Sequence, residues 1–304
     1  MLFQLMKRLL RSAPAVRRTT TRLAYEAMSR FYRGNDVPFM NFGYAALDGD
    51  GKTLELAPEE EEDRYFIQLY HRTVAGSEER GPSTVPPRGR SPGSPLAGLD
   101  VLEVGCGRGG GAAWMARNLG PKMVVGTDVS PSAAAHANRR YRPDPPAEPN
   151  PPGGVHPGIS NLRFVPGDAE ALPFPDASFD VVVNVESSHC YGSMDRFMAE
   201  VARVLRPGGR FCFCDVRDTS QADVLRQSLG RGQQGMRLVE MEDITANVQA
   251  SLDRTSARKE AALARFPFWV RGMFRDQTGV IGGVVHTAFS RGERVYLRAL
   301  LKKQ

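Results

Sequence analysis

From about residue 100 onward, short apolar runs alternate with stretches of helical period. Apolar, largely β-branched runs recur near 100–104, 123–127, 162–165, 179–185 and 210–215. Between them, apolar positions fall at helical spacing near 110–118, 131–140, 193–205 and 221–228. Strand and helix in strict alternation predict an α/β fold, a doubly wound sheet of mostly parallel strands. Pro207-Gly208-Gly209 follows Val204-Leu205-Arg206 and predicts the stop of the third helix. Residues 221–276 read as a partial helical lid, with an apolar patch at Phe266-Pro267-Phe268-Trp269-Val270 and at Met273 and Phe274. The last run, Arg294 to Leu301, alternates as a closing edge strand would.

Upstream of the core, the pattern changes. Val37 to Tyr44 is an aromatic loop too apolar for a linker, and Pro58 with Glu59 to Asp63 starts a helix that continues through Tyr65, Phe66, Leu69 and Tyr70. Carboxylates suit the positive end of a helix dipole, so that acidic run has a structural explanation. The organisation expected is a helical and aromatic cap over 1–76, a Ser/Pro/Gly-rich connector over 77–97 and a core domain over 98–304. A Pro/Gly-crowded insertion at 142–158 interrupts that core.

Ligands of open α/β sheets bind beyond the carboxyl ends of the strands. The first run ends in Glu103-Val104-Gly105-Cys106-Gly107-Arg108-Gly109, and the second in Asp128. Gly105, Gly107 and Gly109 allow backbone to approach a ligand closely, and an acid at Asp128 suits the two hydroxyls of a ribose. The spacing of Gly105, Gly107 and Gly110 also meets a dinucleotide pattern. A pyrophosphate would be repelled by Glu103, whereas an ammonium group would be attracted. S-adenosyl-L-methionine, which has an ammonium, a sulfonium and a ribose but no phosphate, fits that order of residues. Asp168 with the backbone of Ala169 is placed to meet an adenine edge; the other reading is that Asp168 caps a short helix. Asn184, closing the fourth run, completes the cofactor-binding set.

Past that run lie Glu186 and His189. If the acceptor of the reaction is a hydroxyl, a base must take its proton. His189 is the leading choice, since its ordinary pKa of about 6.5 suits proton transfer near neutrality. Glu186, three residues earlier, orients it or meets the acceptor, and shares its face if the segment is helical. His71 is a weaker rival. Tyr44, Tyr191 and Phe42 are candidate walls of the acceptor pocket.

Charge changes the picture at one end only. The net charge is +6, and residues 1–25 contain Lys7, Arg8, Arg11, Arg17, Arg18 and Arg22 with no acid, so the rest balances to zero. A core without a basic face argues against a nucleic-acid partner. The basic segment reads as an amphipathic helix packed on the domain, a peripheral membrane contact, or a mitochondrial presequence. No apolar run is long enough to span a bilayer. Cys106, Cys190, Cys212 and Cys214 form no disulfide framework and, with no His/Asp ligand cluster, no metal site. Together these place the chain inside the cell, cytoplasmic or membrane-associated, with mitochondria as an alternative.

Glu103-Val-Gly-Cys-Gly, Gly167-Asp-Ala-Glu followed by Leu172-Pro-Phe, Phe179-Asp-Val-Val and Leu205-Arg-Pro-Gly-Gly form an ordered series over about 98–216. It resembles the motif series of class I S-adenosylmethionine-dependent methyltransferases. Tyr70-His71-Arg72-Thr73, Gly109 to Ala112, Asn184 to Tyr191 and Phe39 to Tyr44 resemble, more narrowly, the phthiotriolone-type lipid O-methyltransferases. That likeness reaches Tyr25-Glu26 and Ser29-Arg30-Phe31, which favours a structural N-terminus. It implies a Rossmann-like, seven-stranded, mostly parallel sheet with helices on both faces, and methyl transfer to a small, lipid-like acceptor, on oxygen. The alternatives are a C- or N-methyltransferase of sterol or quinone type, and a catalytically inactive cofactor-binding subunit. The C-terminal third matches more loosely, so the acceptor's identity does not transfer.

Overall fold

The computed structural model describes residue 26 and residues 38–47, 54–75, 94–141, 158–264 and 268–304. The connector and insertion expected at 77–97 and 142–158 lie almost wholly outside the described residues, as does the basic N-terminal segment apart from Glu26. In order come α1 (Arg64–Ala75), β1 (Asp100–Val104), α2 (Gly110–Asn118), β2 (Met123–Asp128), α3 (Pro131–Tyr141), β3 (Leu162–Pro166), β4 (Phe179–Val185), α4 (Met194–Val204) and β5 (Leu205–Asp218). Then follow α5 (Thr219–Gly230), β6 (Met236–Asp243), α6 (Thr245–Leu263), α7 (Phe268–Gln277), α8 (Val284–Ser290) and β7 (Arg294–Lys303). The seven strands form one sheet in the order β3-β2-β1-β4-β5-β7-β6. The first five are parallel, and β7 runs antiparallel to both β5 and β6.

Alternation along each strand divides the core between two faces. Val101, Val124, Val181, Val183, Cys212, Cys214 and Tyr296 face one side, against α1 and α2. Leu102, Val125, Val182, Phe211, Phe213, Leu297 and Leu301 face the other, against Phe197 and Val201 of α4 and Leu225 of α5. Phe197 is fully buried, a contribution on the order of 2–3 kcal/mol. Ile67, Leu69, Tyr70 and Val74 place α1 in the first of these cores. Cys212 and Cys214 are buried free thiols sharing one face, as their spacing predicts.

Three expectations need correction. The final run is not an edge strand: β7 lies between β5 and β6, which takes the edge. Its alternation misleads because Arg298 is fully buried, with Nη1 3.1 Å from Glu240 and Nε donating to the Arg72 carbonyl. The span expected as a helical lid contains strand β6 between α5 and α6. Its polar residues, Arg237, Glu240, Glu242 and Asp243, hide it from a search for apolar runs. Finally, α4 ends at Val204, before Pro207-Gly208-Gly209, and those residues lie inside a long β5 whose register against β4 shifts between Phe179 and Val181. Among the described residues no helix is long and apolar enough to cross a membrane.

Candidate active site

The carboxyl ends of β1, β2, β3 and β4 open into a cavity with about 940 Å³ of free space, part of it continuous with solvent. β1 enters the glycine turn with Gly105 at φ +75° and Gly107 at φ +53°, a region that favours glycine. A Cβ on Gly105 would collide with Ser187, and both glycines line the cavity. Gly109 does not. At φ +83° it starts α2, and a Cβ there would strike the Phe164 ring, so its role is packing.

Asp128 ends β2 on the cavity wall. Its Oδ2 accepts from the Gly107 N–H at 2.9 Å and its Oδ1 from the Ser130 N–H at 2.9 Å, which fixes the carboxylate against the glycine turn. Burial pushes its pKa up to about 6, the two N–H bonds oppose that rise, and Glu26 adds to it. Glu26 reaches this point from the N-terminal segment, accepting from the Ser130 hydroxyl at 2.6 Å. Asp168 and Ala169 also line the cavity. Asp168 Oδ1 accepts from the Glu170 N–H at 2.9 Å, so the side chain closes its own turn while facing the cavity.

Glu103 stands behind the wall, not on it. It is fully buried, its Oε1 accepts from the Tyr70 hydroxyl at 2.7 Å, and the Ala112 N–H also points to the carboxylate. Burial pushes its pKa up to about 8, against the Tyr70 hydrogen bond. Tyr70 itself lines the cavity, so it stands between the acid and any ligand. Gly111 makes room for it, since a Cβ there would collide with the phenol ring. Asn184 is likewise buried behind the wall. Its Nδ2 donates to the Val104 carbonyl at 2.9 Å and to Ser187 Oγ at 2.7 Å, joining the ends of β1 and β4.

Glu186 follows β4 in a left-handed conformation, φ +50°, uncommon for a residue with a side chain. Its carboxylate lines the cavity, and its Oε2 accepts from the Phe42 N–H at 2.7 Å and the Tyr296 hydroxyl at 3.0 Å. Burial pushes its pKa up to about 8, opposed by those donors. His189 is not on the wall. The His189 Nδ1–H donates to Asp215 Oδ1 at 2.8 Å, and the same carboxylate takes the His189 N–H, the Ser188 hydroxyl and Arg217 at 3.0 Å. Burial disfavours the imidazolium, but the Cys190 thiol and the Asp215 carboxylate outweigh it, so His189 holds its proton well above its ordinary pKa. His189 is thus held by β5 through Asp215 and is not among the residues lining the cavity.

Of the expected acceptor walls, Tyr191 lines the cavity. Phe42 and Tyr44 do not: the Phe42 ring packs edge-on against Phe289, and buried Tyr44 sits in the core with its N–H on the Tyr65 carbonyl. His71 packs against Trp114 instead of the cavity, and burial lowers its pKa to about 4. Sequence reasoning missed Tyr70, Glu170, Cys190 and the Pro38, Met40 and Asn41 edge of the aromatic loop, all lining residues.

The donor set decides between the two ligands that the glycine spacing allowed. Asp128, Asp168, Glu170 and Glu186 line the cavity, and among the described lining residues there is no Lys or Arg. Such a wall repels a pyrophosphate and suits a ligand bearing an ammonium and a sulfonium. No group of three or more His, Cys, Asp or Glu that could hold a metal occurs among the described residues.

Comparison with known proteins agrees. Residues 102–213 match a family model described as a methyltransferase domain. The chain is 33% identical over 259 residues to a probable phthiotriol/phenolphthiotriol dimycocerosates methyltransferase of Mycobacterium ulcerans, covering 85% of this chain and 86% of that one. It is 39% identical over 196 residues to a fatty-acid O-methyltransferase of Mycolicibacterium smegmatis, covering 64% of this chain and 59% of that one. Among solved structures, the [4+2]-cyclase SpnF superposes with a TM-score of 0.64 at 19% identity, covering 94% of this chain and 95% of that one.

Proposed function

Because the chain belongs to the class I S-adenosylmethionine-dependent methyltransferases, we propose that it methylates a hydroxyl oxygen on a small, lipid-like acceptor. The relatives named for phthiotriol dimycocerosates and for fatty-acid O-methylation support a lipid-like acceptor methylated on oxygen. The observation that carries the reading is Glu186, a carboxylate on the cavity wall with its pKa raised to about 8.

Bound S-adenosylmethionine supplies an electrophilic methyl carbon and a neutral thioether as leaving group. Gly105 and Gly107 give it backbone clearance, Asp128 takes the ribose hydroxyls, Asp168 and Ala169 meet the adenine, and Tyr70, backed by Glu103, faces the amino-acid end. Met40, Val185 and Tyr191 offer an acceptor apolar surface along the same cavity. Glu186 in its ionised form takes the hydroxyl proton as the oxygen–methyl bond forms. A base whose pKa lies near the working pH combines availability with proton affinity. Holding oxygen and methyl carbon in line contributes several kcal/mol more, on the order of 7–11 in the best cases.

A labelled-methyl assay over lipid extracts, with products identified by mass, tests this reading. The expected product is a methyl ether in the organic phase. Label on carbon or nitrogen, or only in water-soluble products, would overturn it.

A further inference from the structure

Of the four free cysteines, Cys106, Cys212 and Cys214 are buried. Burial pushes each of those thiols up, Cys214 to about 12, which keeps them protonated and unreactive. Cys106 also lines the cavity, but the carboxylates of Asp128 and Glu103 beside it oppose a thiolate further. Cys190 differs in place and in company. It is half-buried, lines the cavity, and closes the short 3-10 turn after Glu186, with its N–H on the Ser187 carbonyl at 3.0 Å.

The His189 imidazole is hydrogen-bonded to the Cys190 side chain, and its Nδ1–H is held by Asp215 Oδ1 at 2.8 Å. Asp215 is fully buried and fixed in turn by the Ser188 hydroxyl at 2.6 Å and by Arg217 at 3.0 Å. Thiol, imidazole and carboxylate thus form one chain from the cavity wall to β5. An imidazolium beside a thiol favours the thiolate, the form in which cysteine attacks an electrophile. Methyl transfer through Glu186 uses none of the three.

We propose that Cys190 is a covalent modification site, a thiolate held by His189 and Asp215 that exchanges with small cationic disulfides entering the cavity. Its sulfur attacks one sulfur of the disulfide. The S–S bond breaks, a mixed disulfide forms on Cys190, and the other half leaves as a thiolate that takes a proton from water. Cys190 is oxidised and the departing half is reduced, so no further co-reactant is needed. Charge selects the partner. Asp128, Asp168, Glu170 and Glu186 line the same cavity, with no Lys or Arg among the described lining residues, so a cation is drawn in and a dianion repelled. The adduct narrows the cavity beside Tyr191 and blocks methyl transfer until a reductant removes it.

The probes are cystamine, a dication, and 3,3′-dithiodipropionate, a dianion of the same chain length. Adducts are located by peptide mass mapping, and each rate is divided by that reagent's rate with mercaptoethanol. Cystamine should add to Cys190 alone and at least about tenfold faster than the dianion. From pH 6 to 8 its rate on the unaltered protein should change by less than about threefold, since the thiolate is already formed. In His189→Ala it should rise about tenfold per pH unit up to about 8.5, as for an ordinary thiol. The other charged groups around this turn are Asp215 and Arg217 on β5, Glu186 after β4, Asp128 after β2, and Glu170, which accepts from the Gly192 N–H at 2.6 Å. All remain in that variant, so the difference between the profiles belongs to the imidazole. Cys190→Ser should take up no cystamine. Treated protein should lose methyl transfer to lipid extract, and dithiothreitol should restore it.

No adduct, or adducts spread over the other cysteines, would overturn the assignment. So would a tenfold rise per pH unit in the unaltered protein, which decides alone if His189→Ala does not fold. Identical profiles in the two proteins would make His189 structural, and equal normalised rates for the two probes would remove the charge selection. Undiminished turnover of fully modified protein would refute the block.

Discussion

Where β2 meets the glycine turn, the contacts of Asp128 join residues close along the chain. Asp128 bonds the N–H of Ser130, two positions away, and that of Gly107, 21 positions away. Around Glu186 they join distant ones: Phe42 is 144 positions away and Tyr296 is 110. The glycine turn and Asp128, at the centre of the cofactor half, are thus set by one strand-turn-helix and its neighbour strand, while Tyr70, Asn184 and Glu26 reach it from further along the chain. The acceptor half forms only when the aromatic loop, β4, α6 and β7 have come together. A local site tolerates variation elsewhere in the fold, whereas a site assembled from distant segments changes whenever any of them does.

Three substitutions sharpen that contrast. The largest effect is expected from Glu186→Gln. The amide oxygen can still accept from Phe42 and Tyr296, so the loop stays in place while the base is lost. Turnover should fall by about 10²- to 10⁴-fold, with calorimetric cofactor affinity nearly unchanged. In the unaltered enzyme the rate should climb as pH rises through about 8, because the carboxylate is the active form and burial delays its ionisation. A flat profile, or equal loss in both measurements, would remove Glu186 from the chemistry.

Asp128→Ala should act on the other half. Losing a charged acceptor and stranding two backbone donors is worth about 1.5–3 kcal/mol, or about 10- to 100-fold in cofactor affinity. Affinity within a factor of two of the unaltered protein would refute the ribose role.

His189→Ala should have the smallest effect on catalysis. Its pairing with Asp215 stabilises the folded chain, and the imidazole is 33% exposed. Screening and the remaining Arg217 contact limit the loss to about 1–2 kcal/mol, below the ~3–5 of a fully buried pair. The sign with pH follows from both partners. The imidazole, its pKa raised, contributes fully below its unfolded value of 6.5 and loses the contribution as pH rises through the folded pKa. Asp215, its pKa depressed by His189 and Arg217 against the opposing effect of burial, contributes above 3.8 and loses it on acidification. Thermal melts of the two proteins should therefore differ most from about pH 4 upward through neutrality, with turnover of the folded variant within a few-fold. A drop in turnover as large as that of Glu186→Gln would return His189 to the mechanism.

The central parallel strands β1, β2 and β4 were legible from their apolar runs, because burial on both faces leaves no polar alternation to confuse them. Asp128 and Gly105 were legible because turn and ribose chemistry need those residue types at those places. β6 was not, since an edge strand can be half polar. Nor was the place of β7, because Arg298 mimics a solvent-facing position while ion-paired inside. Gly109 was assigned to the ligand from spacing alone, and only the Phe164 ring shows what its missing Cβ avoids.

What the amino-acid sequence determined by itself is the cofactor: a strand, a glycine turn and an acid on the next strand are short-range features whose geometry follows from backbone conformation. What separates Glu186 from His189 is visible only in the tertiary structure. The two lie three residues apart and look interchangeable in one dimension. Glu186 follows β4 at positive φ and lines the cavity, whereas His189 is bonded to Asp215 on the adjacent strand and is not among the lining residues. Which side chain meets a substrate depends on partners that the folded chain brings from more than a hundred residues away, and no local pattern records them.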